Sequence, residues 1–150
     1  MPDTLRYIAV EGPIGVGKTT LAKRLAKSLR GRLILETPEN NAFLDDFYRN
    51  PQEYGLPAQL QFLMTRRESL RHMAGSLPDG GLWVSDFLFA KDRLFAGMTL
   101  DDKKFELYSS IASELAFDLV VPDLVVYLQA PLEVLYERIE KRGKLSLIHI

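Results

Sequence analysis

Gly12-Pro13-Ile14-Gly15-Val16-Gly17-Lys18-Thr19 decides how this chain folds. It fills every fixed position of the pattern G-x-x-x-x-G-K-[ST], the phosphate-binding loop or P-loop. Glycines let backbone N–H groups turn toward phosphate oxygens without a Cβ in the way. The helix that must follow adds the positive end of its dipole. Lys18 is placed to reach β- and γ-phosphates, and the Thr19 hydroxyl to ligate Mg²⁺. With Thr20, the run from Gly12 to Thr20 is the candidate ATP-phosphate site.

Such a loop needs a strand before it and a helix after it. Leu5 to Val10 is short, apolar and β-prone, and reads as a buried parallel strand. From about Gly17, Leu21, Leu25 and Leu29 recur four apart beside Ala22 and Ala26, with Lys23, Arg24 and Lys27 on the other face. Gly31 is the expected C-cap. Leu33 to Leu35 is a second strand ending at Glu36, and Asn41 to Tyr48 a short helix interrupted by Pro51. A longer helix is expected from about Pro57 to Met73, with Leu60, Leu63, Met64 and Leu70 as its apolar stripe.

Pro78 to Gly81 is a turn, and Leu82 to Val84 a third strand. Thr99 with Asp102 resembles a capping box opening a helix that runs to about Phe117. Leu124 to Leu128 is a fourth strand, and Pro131 the first residue of a helix whose core face is Leu132, Leu135, Tyr136 and Ile139. Strands alternating with helices make this an α/β chain, a P-loop NTPase fold with a parallel sheet covered by helices on both faces.

The 150 residues suit one domain. A net charge of −1 supplies no global drive toward nucleic acid or an anionic membrane. The absence of cysteine excludes disulfides, thiolate metal sites and a cysteine nucleophile. No apolar run reaches the roughly 18 residues of a membrane span, and no signal-peptide pattern opens the chain. These features together predict a cytoplasmic protein with no nucleic-acid or membrane partner.

Several further segments, in order, carry a likeness. They are Val10 to Gly15, Asn41-Ala42-Phe43-Leu44-Asp45-Asp46-Phe47-Tyr48, Gln59 to Leu63, Pro122 to Leu128 and Glu137 to Gly143. The stretch from Ile8 through Lys144 resembles the deoxynucleoside kinase family, above all its bacterial purine-deoxynucleoside kinases. The resemblance implies ATP- and Mg²⁺-dependent phosphorylation of a deoxynucleoside 5′-hydroxyl, a sheet in the order 2-3-1-4 with a fifth strand still to come, and a possible homodimer through the long helices.

Glu36 ends the second strand, where open parallel sheets place their ligand crevice. By position alone it reads equally as a solvated carboxylate. The resemblance makes it the general base, with Glu39 as the alternative. Tyr48 matches the family tyrosine that contacts the deoxyribose 3′-hydroxyl. Gln59 matches the glutamine that pairs with the base edge, its amide both donating and accepting. Phe62 and Phe89 are candidates to sandwich the base, with core packing the alternative.

The pattern departs from the family after the third strand. Where Asp-Arg-Ser or Glu-Arg-Ser is usual, this chain has Ser85-Asp86-Phe87. Asp86 retains an acid able to hold Mg²⁺, directly or through water, but the arginine is absent. Arg93 is a candidate to replace its charge, and Asp92-Arg93 matches a family acid–arginine pair near the base under one alignment.

Arg138 and Arg142 lie four apart on one helix face, near Lys141 and Lys144. The resemblance places them at the start of a lid that closes over the transferred phosphate, where cations stabilise the moving charge. The tail Leu145 to Ile150 has no turn or helix logic, and CTGTCTCTTATACACATC, a transposase-type sequencing adapter, translates to those six residues. The expected domain is therefore 1–144, incomplete at the lid, with a non-native tail, and the chain alone is expected to be inactive. Two competing readings are a thymidylate-kinase-like monophosphate kinase and a P-loop module that binds nucleotide without turnover.

Overall fold

A computed structural model describes residues 5–76, 81–116 and 119–142, with Arg142 by its backbone alone. In chain order the elements are β1 (Tyr7–Glu11), α1 (Lys18–Ser28), β2 (Arg32–Ile34), a 3₁₀ turn (Pro38–Asn40), α2 (Leu44–Arg49), α3 (Pro51–Ser76), β3 (Trp83–Ser85), α4 (Lys91–Thr99), α5 (Asp102–Leu115), β4 (Leu124–Tyr127) and α6 (Leu132–Arg142). The chain forms two compact units. One comprises Met1–Leu35, Ser76–Leu88 and Val121–Ile150; the other comprises Glu36–Gly75 and Phe89–Val120.

The first unit holds the sheet. Its order is β2-β3-β1-β4, as the resemblance implied, and every pairing is parallel. Ile8 sits opposite Val84 on one side and Leu124 on the other. The β-branched and alanine residues of β1 are buried, as suits a central strand of a helix-covered parallel sheet. Ala22 and Ala26 press α1 onto Ile8, Val10 and Val84, with Leu21, Leu25 and Leu33 packed around them. The small residues let the helix approach closely, and the leucines exclude water at its margins. Asp123 fixes the start of β1, its Oδ2 accepting the N–H groups of Arg6 at 2.8 Å and Tyr7 at 2.9 Å.

Two local expectations change in this unit. The left-handed residue after α1 is Arg30 (φ 54°), not Gly31. The N–H of Gly31 donates to Ala26 O at 2.7 Å and that of Arg30 to Lys27 O at 3.3 Å, which is a Schellman closure. Gly31 is required for a different reason: a Cβ there would lie 2.9 Å from Leu82 O. On α6 only Leu135 and Ile139 of the expected core face are buried, whereas Leu132 and Tyr136 are exposed.

The second unit is helical. Pro51 opens α3 rather than interrupting a helix, which suits its fixed φ and missing N–H. The helix then passes through Pro57, which forgoes the bond its nitrogen would make to residue 53. Leu63 and Leu70 of the expected stripe are buried, but Met64 faces outward. Leu63, Ala96 and Tyr108 form the core, joined by Leu60, Phe89, Leu100 and Phe105. Thr99 is not the cap of α5. Its hydroxyl donates to Phe95 O at 2.8 Å at the end of α4. Asp101 is the cap, accepting the N–H of Lys104 at 2.8 Å. The expected turn at residues 78–80 and the tail 145–150 lie outside the described residues. Among the described residues no helix is long and apolar enough to cross a membrane.

Candidate active site

The phosphate loop joins β1 to α1 within the first unit. Gly12 (φ 155°) turns the chain off the strand where a Cβ would meet Leu128 O at 2.6 Å. Gly17 (φ 103°) is the N-cap of α1 in left-handed backbone, with no side-chain cap. A helix N-terminus without a side-chain cap suits an anion. Lys18 Nζ donates to Gly12 O at 2.8 Å and lies 3.9 Å from Glu11 Oε1. The lysine is thus folded along the loop it serves. Pro13, Ile14, Gly15 and Val16 make up the body of the loop, and Thr20 is exposed one residue beyond Thr19.

Asp86 follows β3 and is buried. The Thr19 hydroxyl donates to its Oδ2 at 2.6 Å. A hard-oxygen hydroxyl and carboxylate brought together at a helix N-terminus fit the two protein groups a Mg²⁺ ion takes beside a triphosphate. Arg138 of α6 donates through Nη1 to Gly15 O at 3.2 Å and Val16 O at 3.1 Å. These are loop carbonyls, which face away from anions, so Arg138 braces the loop. The side chain of Arg142 lies outside the described residues.

The second unit gathers most of the expected acceptor-side residues. Glu36 Oε1 accepts from Arg66 through Nε at 2.6 Å and also through Nη2. Nη1 of the same guanidinium pairs with Asp92. Arg66 and Asp92 are both buried. The guanidinium lies 5.1 Å from the centre of the Phe62 ring, a cation–π contact. Gln59 is buried on α3, seven residues and therefore two turns before Arg66, so the two share a helix face. Tyr48 keeps its hydroxyl buried without a hydrogen-bond partner among the described residues. Burial, reinforced by the charge of Asp45, pushes its phenol well above the usual range. Phe89 is partly buried against the helical core. Arg93 is exposed, and with Arg66 its charge opposes the upward shift that burial imposes on Tyr108.

The deoxynucleoside kinase family model matches residues 8–150. The chain belongs to the deoxynucleoside kinase family. A deoxyguanosine kinase from Bacillus subtilis (strain 168) is 38% identical over 143 residues, spanning 95% of this chain and 69% of the relative. A deoxyadenosine kinase from Dictyostelium discoideum is 33% identical over 143 residues, spanning 92% of this chain and 57% of the relative. The fold is shared with a deoxyadenosine kinase from M. mycoides with bound dATP, at a TM-score of 0.78 and 21% identity, covering 96% of this chain and 75% of that one.

For a member of the deoxynucleoside kinase family, two residues here had gone unread in the sequence. Arg66 is one of several cations on a long helix; its burial and its pairs with Glu36 and Asp92 distinguish it from Arg67 and Arg71. Glu11 lies just past the expected strand Leu5 to Val10. It is buried, with Oε1 accepting the N–H of Gly12 at 2.9 Å and Oε2 that of Leu88 at 3.0 Å. A carboxylate directly ahead of a loop glycine gives no sequence signal for that task.

Proposed function

We propose that this protein transfers the γ-phosphoryl group of ATP to the 5′-hydroxyl of a deoxynucleoside, with purine bases preferred, in nucleotide salvage. The observation that carries the acceptor is the buried set Gln59, Arg66 and Asp92, with the half-buried Glu36 paired to it, in the second unit. A nucleotide switch has no need to bury such a set. The names of the relatives, kinases of deoxyguanosine and of deoxyadenosine, favour a purine.

In this reading the loop from Gly12 to Thr20 and Lys18 grip the triphosphate. Thr19 and Asp86 hold Mg²⁺, which supplies charge neutralisation at the phosphates. Gln59 and Asp92 read the base edge, with Phe62 and Phe89 at its faces and Tyr48 at the 3′-hydroxyl. Arg93 contributes positive potential. Glu36 accepts the 5′-hydroxyl proton as the oxygen bonds to γ-phosphorus, and the bond from that phosphorus to the β-phosphate oxygen breaks with its electron pair leaving on ADP. Arg142 is the lid cation that the family resemblance assigns to the transferred group, and Arg138 fixes the loop that holds it. The protein works in the cytoplasm and pairs as a homodimer, to which the exposed Leu94 and Met98, one turn apart on α4, are suited.

The test is ADP release by the product of the full-length natural gene, against a panel of deoxynucleosides and their monophosphates. Stimulation by deoxyguanosine or deoxyadenosine is expected. Stimulation by monophosphates alone, or by nothing, overturns the reading. Light scattering of the same sample checks the dimer.

A further inference from the structure

We infer that the Tyr7 and Ser85 hydroxyls are a positioning pair for Asp86, so that the start of β1 sets how firmly the phosphate site holds its metal ion. The inference rests on the reading of Asp86 as a Mg²⁺ group, and it gives roles to two residues outside the phosphate-loop pattern. Every residue it uses belongs to the first unit.

The sheet brings the pair together. Ile8, Val10 and Val84 pack with α1. Side chains alternate along a strand, so Tyr7, Ala9 and Glu11 of β1 and Trp83 and Ser85 of β3 share the opposite face. Tyr7 is in register with Trp83, and Ala9 with Ser85. Tyr7 and Ser85 are therefore diagonal neighbours, a span that a long aromatic side chain bridges. Their oxygens lie 2.9 Å apart, and both residues are buried.

The next contact gives the direction of the bond. The Ser85 hydroxyl donates its one proton to Phe87 O at 2.7 Å. Its oxygen is left to accept, so the Tyr7 hydroxyl is the donor. A phenylalanine at 7 would give the core the same ring. What the hydroxyl adds is this bond, without which its burial would be unfavourable.

The link from Ser85 to Phe87 spans Asp86. The N–H of Asp86 donates to Ile34 O at 3.3 Å, and that of Leu88 to Glu11 Oε2 at 3.0 Å. The backbone on both sides of the carboxylate is thus tied to β1 and β2. The same β1 runs into the phosphate loop, and the Thr19 hydroxyl beyond that loop meets Asp86 Oδ2. One face of one strand therefore registers the carboxylate against the loop.

The test uses the product of the full-length natural gene with Tyr7→Phe, Ser85→Ala and Asp86→Asn, singly and in pairs. The readout is Mn²⁺ binding in the presence of ATP, followed by the electron paramagnetic resonance signal of free Mn²⁺. Tyr7→Phe and Ser85→Ala should each weaken Mn²⁺ binding by about 3- to 10-fold, less than loss of a direct partner of a metal ligand. ATP affinity in EDTA should stay at the parent value. The Tyr7→Phe, Ser85→Ala pair should bind Mn²⁺ no more weakly than Ser85→Ala alone, because the two hydroxyls form one device. In the Asp86→Asn background neither substitution should have a further effect. Mn²⁺ binding unchanged in Tyr7→Phe, or an equal loss of ATP affinity in EDTA, overturns the inference. So does an Asp86→Asn protein that binds Mn²⁺ as the parent does. Should Ser85→Ala not fold, Tyr7→Phe, which keeps every carbon of the ring, carries the same readout. Mn²⁺ and ATP binding needs no acceptor, so a parent protein without deoxynucleoside-dependent turnover sinks the functional reading alone, and the Mn²⁺ isotherms still decide the role of Tyr7.

Discussion

Thr19 donates its hydroxyl to Asp86 across 2.6 Å, tying the first turn of the helix after the phosphate loop to the end of the third strand. The pair joins segments 67 residues apart in sequence. Replacing Asp86 by Asn keeps an acceptor for the hydroxyl and removes the charge. Mg²⁺ should then support turnover only at concentrations about 10- to 100-fold higher, with folding retained by circular dichroism. An unchanged Mg²⁺ titration would remove Asp86 from the metal site.

Glu11 is a buried carboxylate that satisfies two backbone N–H groups and sits beside Lys18. Glu11→Gln leaves one of those N–H groups facing an amide NH₂. Hydrogen bonds to charged groups contribute roughly 1.5–3 kcal/mol each, so a loss of about 2 kcal/mol in urea unfolding is expected. ATP binding should weaken with it, because Gly12 is the first residue of the loop.

The Tyr108 hydroxyl is buried without a hydrogen-bond partner among the described residues. An unmet donor in the core costs about 1–3 kcal/mol. Tyr108→Phe should therefore leave stability at neutral pH unchanged or raise it, the reverse of most core substitutions. A loss above 1 kcal/mol in the same assay would show that the hydroxyl is satisfied in solution.

Three tyrosines, Tyr7, Tyr48 and Tyr108, are raised in pKa chiefly by burial. Each binds its proton more tightly folded than unfolded. Their contribution is fully present below the unfolded value near 10 and is lost as pH rises beyond it toward the folded values. Thermal stability should fall steeply above about pH 10, and the double variant Tyr7→Phe, Tyr108→Phe should fall less. Equal slopes would refute the assignment.

Asp101 is the N-cap of α5. Asp101→Ala should cost about 1 kcal/mol, whereas Thr99→Ala at the end of α4 should cost less, since its hydroxyl only returns to Phe95 O. Unfolding midpoints of the two variants separate them.

The sequence was most legible where geometry is imposed by local chemistry. Gly12, Gly17 and Lys18 declare a phosphate loop because few other residues suit those backbone angles and that charge. The strands declare themselves through short apolar runs, and the 2-3-1-4 order came with the resemblance. Capping was less legible, because Thr99 and Asp101 both qualify as caps and only the backbone turn selects between them. The extent of α3 was hidden by two prolines, of which Pro51 starts a helix and Pro57 is tolerated within it. Arg66 was illegible for a deeper reason: a cation on a helix is ordinarily solvated, and its burial depends on Asp92 and Glu36, residues 26 and 30 positions away.

Arg138 holds the carbonyls of Gly15 and Val16 from 123 and 122 residues further along the chain. A ribosome makes the phosphate loop well before its brace. The nascent loop has its glycines, lysine and threonine within the first twenty residues, yet it lacks the α6 brace until α6 has been translated and folded onto it. Nucleotide grip therefore matures only once α6 has emerged.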